Sequence, residues 1–161
     1  MSADSTRPAS VDSLREVSVY FPRENECDVH PFARRVPAGA SLDVVRSTLQ
    51  ALLDGPTAAE IAAGYVSGIP DSLEVQRHRM RYVAFDYDAP HEGKRVVIES
   101  LKPRDDGILE VSFSRELNAY DRGATRVCAI IRQVQETVKQ FPEWKGVSIA
   151  IEGKTTGILQ P

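Results

Sequence analysis

Residues 124–153 read ATRVCAIIRQVQETVKQFPEWKGVSIAIEG, and two hydrophobic periods meet inside that stretch. Val127, Ile130, Ile131, Val134, Val138 and Phe141 recur at helical spacing, and Pro142 ends the run. Val147, Ile149 and Ile151 then alternate as in a strand closed by Gly153. A helix from about Ala124 to Gln140 feeding a strand at Gly146–Ile151 makes this a mixed chain.

Working back from there, Asp106-Gly107 is a hairpin signal, because glycine accepts the positive φ of a tight turn. Leu109, Val111 and Phe113 alternate after it. Leu73 to Phe113 is rich in Val, Ile, Tyr and Phe and is broken at Ala89–Gly93 and Pro103–Gly107, which predicts three consecutive antiparallel strands. Upstream, Leu42, Val45, Leu49, Leu52 and Leu53 form a helical stripe, with Ser41 as the expected N-cap and Gly55-Pro56 as the stop. Thr57 is placed to cap a further short helix from Ala58 to Ala63. Val17, Val19 and Phe21 alternate in a first strand, and Val29–Val36 forms a second. The predicted class is α+β: a mixed or antiparallel sheet with two main helices packed on one face.

Residues 1–15 are small and polar and read as a linker, either behind a removed signal or anchor or as a plain disordered start; 16–161 read as one domain. The 161-residue chain has a net charge of −3, which argues against a nucleic-acid surface. No apolar run approaches the roughly 20 residues needed to span a bilayer.

Chemistry-bearing patterns are sparse. Cys27 and Cys128, 101 positions apart, cannot form a C-x-x-C motif or a thiolate zinc site. They either meet as a disulfide, worth about 4–5 kcal/mol in the chain-entropy model, or stay as two unpaired core thiols, as in a cytosolic module. Asp86, Asp88 and His91, with His78 nearby, crowd one loop; it is read first as a solvated hairpin and second as the centre of a small metal-dependent hydrolase. Arg77, Arg79 and Arg81 at period two would share one strand face, either as a basic stripe for an acidic partner or as a solvated face. Neither a nucleophile elbow nor a phosphate-cradling glycine loop occurs, so no catalytic residue and no cofactor are nominated.

Several blocks in order resemble the GerMN, or sporulation and spore germination, domain family. They are Val17–Pro22 with Arg34-Arg35-Val36; Ala51–Thr57 with Gly64, Ser67 and Ile69-Pro70; Leu109–Leu117; Ile131–Pro142; and Val147–Gly153. The resemblance spans Val17 to Leu159. It implies a fold similar to ring-building modules and an extracytoplasmic, non-catalytic binding or assembly domain at the bacterial cell envelope. The partners it implies are an envelope protein or peptidoglycan, with self-assembly possible and membrane attachment only through an anchor absent from this chain. It also implies that Cys27 and Cys128 pair, as in some members. The segment Arg77–Asp106 is longer than the family's compact hairpin. Of the matched residues, Arg35, Gln133 and Thr137 are polar beside apolar stripes and must find partners in the fold or on a ligand.

Overall fold

The computed structural model describes residues 13–82, 94–120 and 123–160. In chain order the elements are β1 (Leu14–Pro22), β2 (Val29–Pro37), α1 (Ser41–Leu53), α2 (Ala58–Ala62), α3 (Ser72–Tyr82), β3 (Ile98–Pro103), β4 (Ile108–Phe113), α4 (Ala124–Lys139) and β5 (Gly146–Ile151). A short 3-10 turn, Arg115–Asn118, links β4 to α4.

The strands fall into two sheets. β1 and β2 form an antiparallel ribbon, with Val17 opposite Arg34 and Val19 opposite Phe32. β3, β4 and β5 form the second sheet in that order, β3–β4 antiparallel and β4–β5 parallel. The α+β class is as expected, with antiparallel and parallel pairing both present.

α1 and α4 supply the centre of the core. Val45, Leu49 and Leu52 of α1 and Ile130, Val134 and Val138 of α4 are fully buried against Val19, Phe21, Leu109, Val111 and Phe113. Phe141, just past α4, closes the same cluster, as the apolar stripe of 127–141 requires. The β3–β4 turn is the one the sequence encodes: Gly107 sits at φ +84°, and the Asp106 carboxylate accepts the Ile108 N–H at 3.1 Å.

Three expectations need correction. Over residues 73–82 the first strand of the predicted three-strand run does not form, and the rest of that segment, up to Asp88, lies outside the described residues. Ser72–Tyr82 is the helix α3, started by Asp71, whose carboxylate accepts the Glu74 N–H at 2.8 Å. A helix repeats every 3.6 residues, so Arg77, Arg79 and Arg81 are not aligned along one face as on a strand. Ser41 is the first helical residue of α1 and not its cap; Ala40 holds the cap position, and the Ser41 hydroxyl donates to Glu143 instead. The Thr57 cap, by contrast, is complete. Its hydroxyl accepts the Glu60 N–H at 3.2 Å, and the Glu60 carboxylate accepts the Thr57 N–H at 3.0 Å.

Candidate functional site

A groove of about 290 Å³ lies where the β1–β2 turn, the 66–68 loop, α3 and α4 converge. Arg23, Glu24, Asn25 and Glu26 of the turn line one part of it, and Ser67, Gly68, Glu74, Thr125 and Arg126 line the rest. A neighbouring hollow of about 220 Å³ shares Glu74 and continues to Asp71, Arg77, His78 and Tyr120.

Each wall is held by a specific bond. Cys27, in the β1–β2 connection, is joined to Cys128 of α4 by a disulfide with Cα atoms 5.4 Å apart. Both sulfurs are therefore bonded, which overturns the reading of two free thiols. Their neighbours Glu26, Thr125 and Ala129 line the groove, so the disulfide fixes the turn against α4 there.

The 66–68 loop is clamped from α4. Gln133 is fully buried; its carbonyl oxygen accepts the Gly68 N–H at 2.7 Å, and its amide donates to Ser67 Oγ at 3.2 Å. Two helical turns before Gln133, Arg126 donates from Nε to the Gly68 carbonyl and pairs with Glu74 at 2.7 Å, tying α3 to α4. Gly68 is thus gripped on both sides of its backbone, and a Cβ there would lie 3.0 Å from Gln133 Oε1. At the far wall the Arg23 guanidinium stacks 4.5 Å from the Tyr65 ring centre and donates to the Ala63 carbonyl at 3.2 Å.

Chemically the groove presents both charge signs, with Glu24 and Glu26 exposed at its rim and Arg126 neutralised by Glu74. Such a lining suits a polar or zwitterionic surface better than an apolar ligand. Among the described residues, no group of three or more His, Cys, Asp or Glu side chains is arranged to hold a metal ion. Asp86, Asp88 and His91 lie outside the described residues.

The residues singled out from sequence are not brought into one constellation. Arg35 is exposed on β2, opposite Glu16 in register. Arg77 is exposed on α3 and lines the second hollow; Arg79 and Arg81 follow it on the same helix. Gln133 and Thr137 point into the core from α4 at 0% exposure, and the Thr137 hydroxyl has no hydrogen-bond partner among the described residues. Arg126, Glu74 and Arg23, which shape the groove, were not nominated. The one signal for the first pair was Asp71 three residues before Glu74 and just after Pro70, a helix-start pattern.

The profile of the family described as sporulation and spore germination matches residues 18–157. No curated protein matches the sequence. Among solved structures, a Clostridium perfringens protein assigned as a lipoprotein superposes with a TM-score of 0.53 at 15% identity, over 96% of this chain and 86% of that one. The first GerMN domain of the sporulation protein GerM from Bacillus subtilis gives 0.50 at 19% identity, over 88% and 85%. The tandem GerMN domains of the same protein give 0.51 at 16% identity, over 89% of this chain and 41% of the tandem pair. At these identities the likeness is one of fold.

Proposed function

The chain belongs to the sporulation and spore germination domain family, and from that membership we propose that it is a non-catalytic binding domain of the bacterial cell envelope, docking a protein or cell-wall partner. The observation that carries this reading is the Cys27–Cys128 disulfide beside the groove. Disulfides persist in oxidising compartments outside the cytoplasm, and this one fixes the relative position of two groove walls. A rigid, mixed-charge concavity is what a recognition surface needs, since pre-set geometry lowers the entropic cost of association. The likeness to a protein assigned as a lipoprotein supports the envelope location.

The test is retention of the oxidised domain on purified peptidoglycan and on a solubilised envelope-protein fraction, with both followed for released fragments. Saturable retention with no time-dependent release supports the reading. Soluble products accumulating with time would make the protein an enzyme. Full alkylation of both thiols in unreduced protein taken from cells would remove the envelope location.

A further inference from the structure

The two edges of the β1–β2 ribbon are treated differently. Ala38 donates its N–H to the Ser13 carbonyl at 3.1 Å, which makes Ser13–Ala38 a hydrogen-bonded pair. Bonded and non-bonded pairs alternate along an antiparallel ladder. With the register observed, His30, Phe32, Arg34 and Val36 therefore turn their backbone groups toward β1, and Pro31, Ala33, Arg35 and Pro37 turn theirs outward. Two independent facts agree with this parity. Ser18, opposite Ala33, has both backbone groups bonded to the Gln140 side chain on the outer side of β1. Pro31 and Pro37, which lack an N–H, fall in the outward set, where no ladder bond is lost.

The outer edge of β1 is closed by Gln140 at Ser18 and by the Val66 N–H on the Pro22 carbonyl at 2.9 Å. Among the described residues no strand or side-chain clamp closes the corresponding edge of β2; only the Ala33 carbonyl is engaged, by Arg34 at 3.0 Å. Pro31, Ala33, Arg35 and Pro37 are all exposed. We propose that this edge takes one added strand from a partner protein, an extended segment alternating acidic and apolar residues. The proposal rests on the binding-domain reading and gives its partner a chemistry.

The occupant follows from charge and register. Residues 29–37 carry Arg34 and Arg35 and no carboxylate. Arg34 is already paired with Glu60, whereas Arg35 has no ion pair among the described residues. Acidic side chains on the outer face of an added strand meet Arg35, and apolar ones on the inner face extend the half-buried Phe32. A second copy of this chain fits worse. Antiparallel pairing of two β2 strands about Ala33 sets Pro31 against Arg35, so those pairs form one bond where two are available, and it brings two basic strands together.

The test is titration of the oxidised domain with an acetylated, amidated peptide of alternating glutamate and valine, read by amide chemical shifts. The expected result is saturable shifts at Ala33 and Arg35, with no response to a lysine–valine peptide. Ala33→Pro deletes an outward N–H without touching the β1 ladder and should weaken binding about tenfold, the scale of one backbone hydrogen bond. Arg35→Glu, which leaves the backbone intact, should lose the glutamate peptide and gain the lysine one. Shifts confined to the groove, binding indifferent to both variants, or dimerisation through β2 without peptide would each overturn the proposal. Retention on the envelope fraction that survives Ala33→Pro and Arg35→Glu would overturn this inference alone and leave the binding-domain reading standing.

Discussion

The side chain of Gln140 pairs with the backbone of Ser18 as a neighbouring strand would, its oxygen accepting the Ser18 N–H at 2.9 Å and its nitrogen donating to the Ser18 carbonyl at 2.7 Å. The amide also donates to the Thr137 carbonyl at 2.7 Å, so the end of α4 is tied to its own last turn and to β1 together. One carboxamide thereby satisfies two main-chain groups that a two-stranded ribbon would leave at its rim. Gln140→Ala should lower unfolding free energy by about 1–3 kcal/mol, the cost of leaving part-buried polar groups without partners. Gln140→Glu should cost at least as much at neutral pH, because a carboxylate faces the Ser18 carbonyl where an amide donated. Denaturant midpoints measure both effects, and hydrogen exchange at the Ser18 amide should accelerate in the alanine variant.

The Gln133–Gly68 contact makes a second, separable prediction. Gly68→Ala places a Cβ 3.0 Å from Gln133 Oε1 and 3.3 Å from the Ile130 backbone nitrogen, and the backbone cannot retreat as a flexible side chain could. The expected loss is about 1–3 kcal/mol from overpacking. Gln133→Ala should cost about 2–5 kcal/mol, since it opens a cavity and orphans the Gly68 N–H. The double variant should lose less than the sum of the two, because removing the carboxamide also removes the clash. Strict additivity in chemical denaturation would show that the two residues do not act on each other.

α1, α4 and the β3–β4 hairpin were legible because each carries its own local signal: a 3.6-residue apolar stripe ending at Gly55-Pro56 or Pro142, and Asp106-Gly107 at the turn. α3 was not, because Leu73, Val75, Arg77, Arg79 and Arg81 mimic a two-residue alternation, and over 72–78 only Val75 is fully buried. What settles α3 is a cap at Asp71 and the Glu74–Arg126 pair, a contact across 52 positions. The groove was illegible for the same reason. Its walls come from four separate segments, and the Gly68–Gln133 and Gly68–Arg126 bonds join positions that no local pattern links. Of the two polar residues expected on α4 to need partners, Gln133 finds them inside the fold, which sequence could not distinguish from a ligand, whereas the Thr137 hydroxyl has none among the described residues.

Arg34 and Glu60 set a pH dependence. Arg34 lies on the inner side of β2 and makes two bonds to Glu60, 2.8 and 2.6 Å long, with both side chains largely covered. The Arg34 hydrogen bonds hold the Glu60 carboxyl below its ordinary value of 4.5, helped by the Thr57 N–H and opposed by burial. A carboxyl whose folded-state value is depressed adds stability that is present above the unfolded value and lost as pH falls through the folded one. The domain should therefore lose this contribution progressively below about pH 4.5. Glu60→Gln should be less stable by about 1–3 kcal/mol at pH 7, the range for a charge-assisted bond, and should approach wild type as pH falls below 4.5 and the Glu60 carboxyl protonates. Urea midpoints of the two proteins across that range measure the difference, and a gap that stays constant with pH would remove Glu60 from the titrating set.

The disulfide supplies the last prediction, and it concerns both stability and the groove. Cys27 and Cys128 are separated by 101 positions, so their bond shortens the unfolded chain's accessible conformations severely. The chain-entropy model puts the effect at about 4–5 kcal/mol for a loop of that size. Reduction, or replacement of both cysteines by serine, should lower the unfolding free energy by about that amount while leaving α4 intact, because α4 packs against α1, β1 and β5 and keeps Ile130, Val134 and Val138 fully buried in the core. The turn at Arg23–Glu26 has weaker support, from the Glu26 N–H on the Arg23 carbonyl and from Arg23 on Tyr65. Amide exchange should therefore rise first at 24–28 in the reduced domain and not along 130–138. Uniform acceleration over both regions would mean that the bond holds the whole fold, and no change at 24–28 would mean that the turn keeps its place against α4 without it.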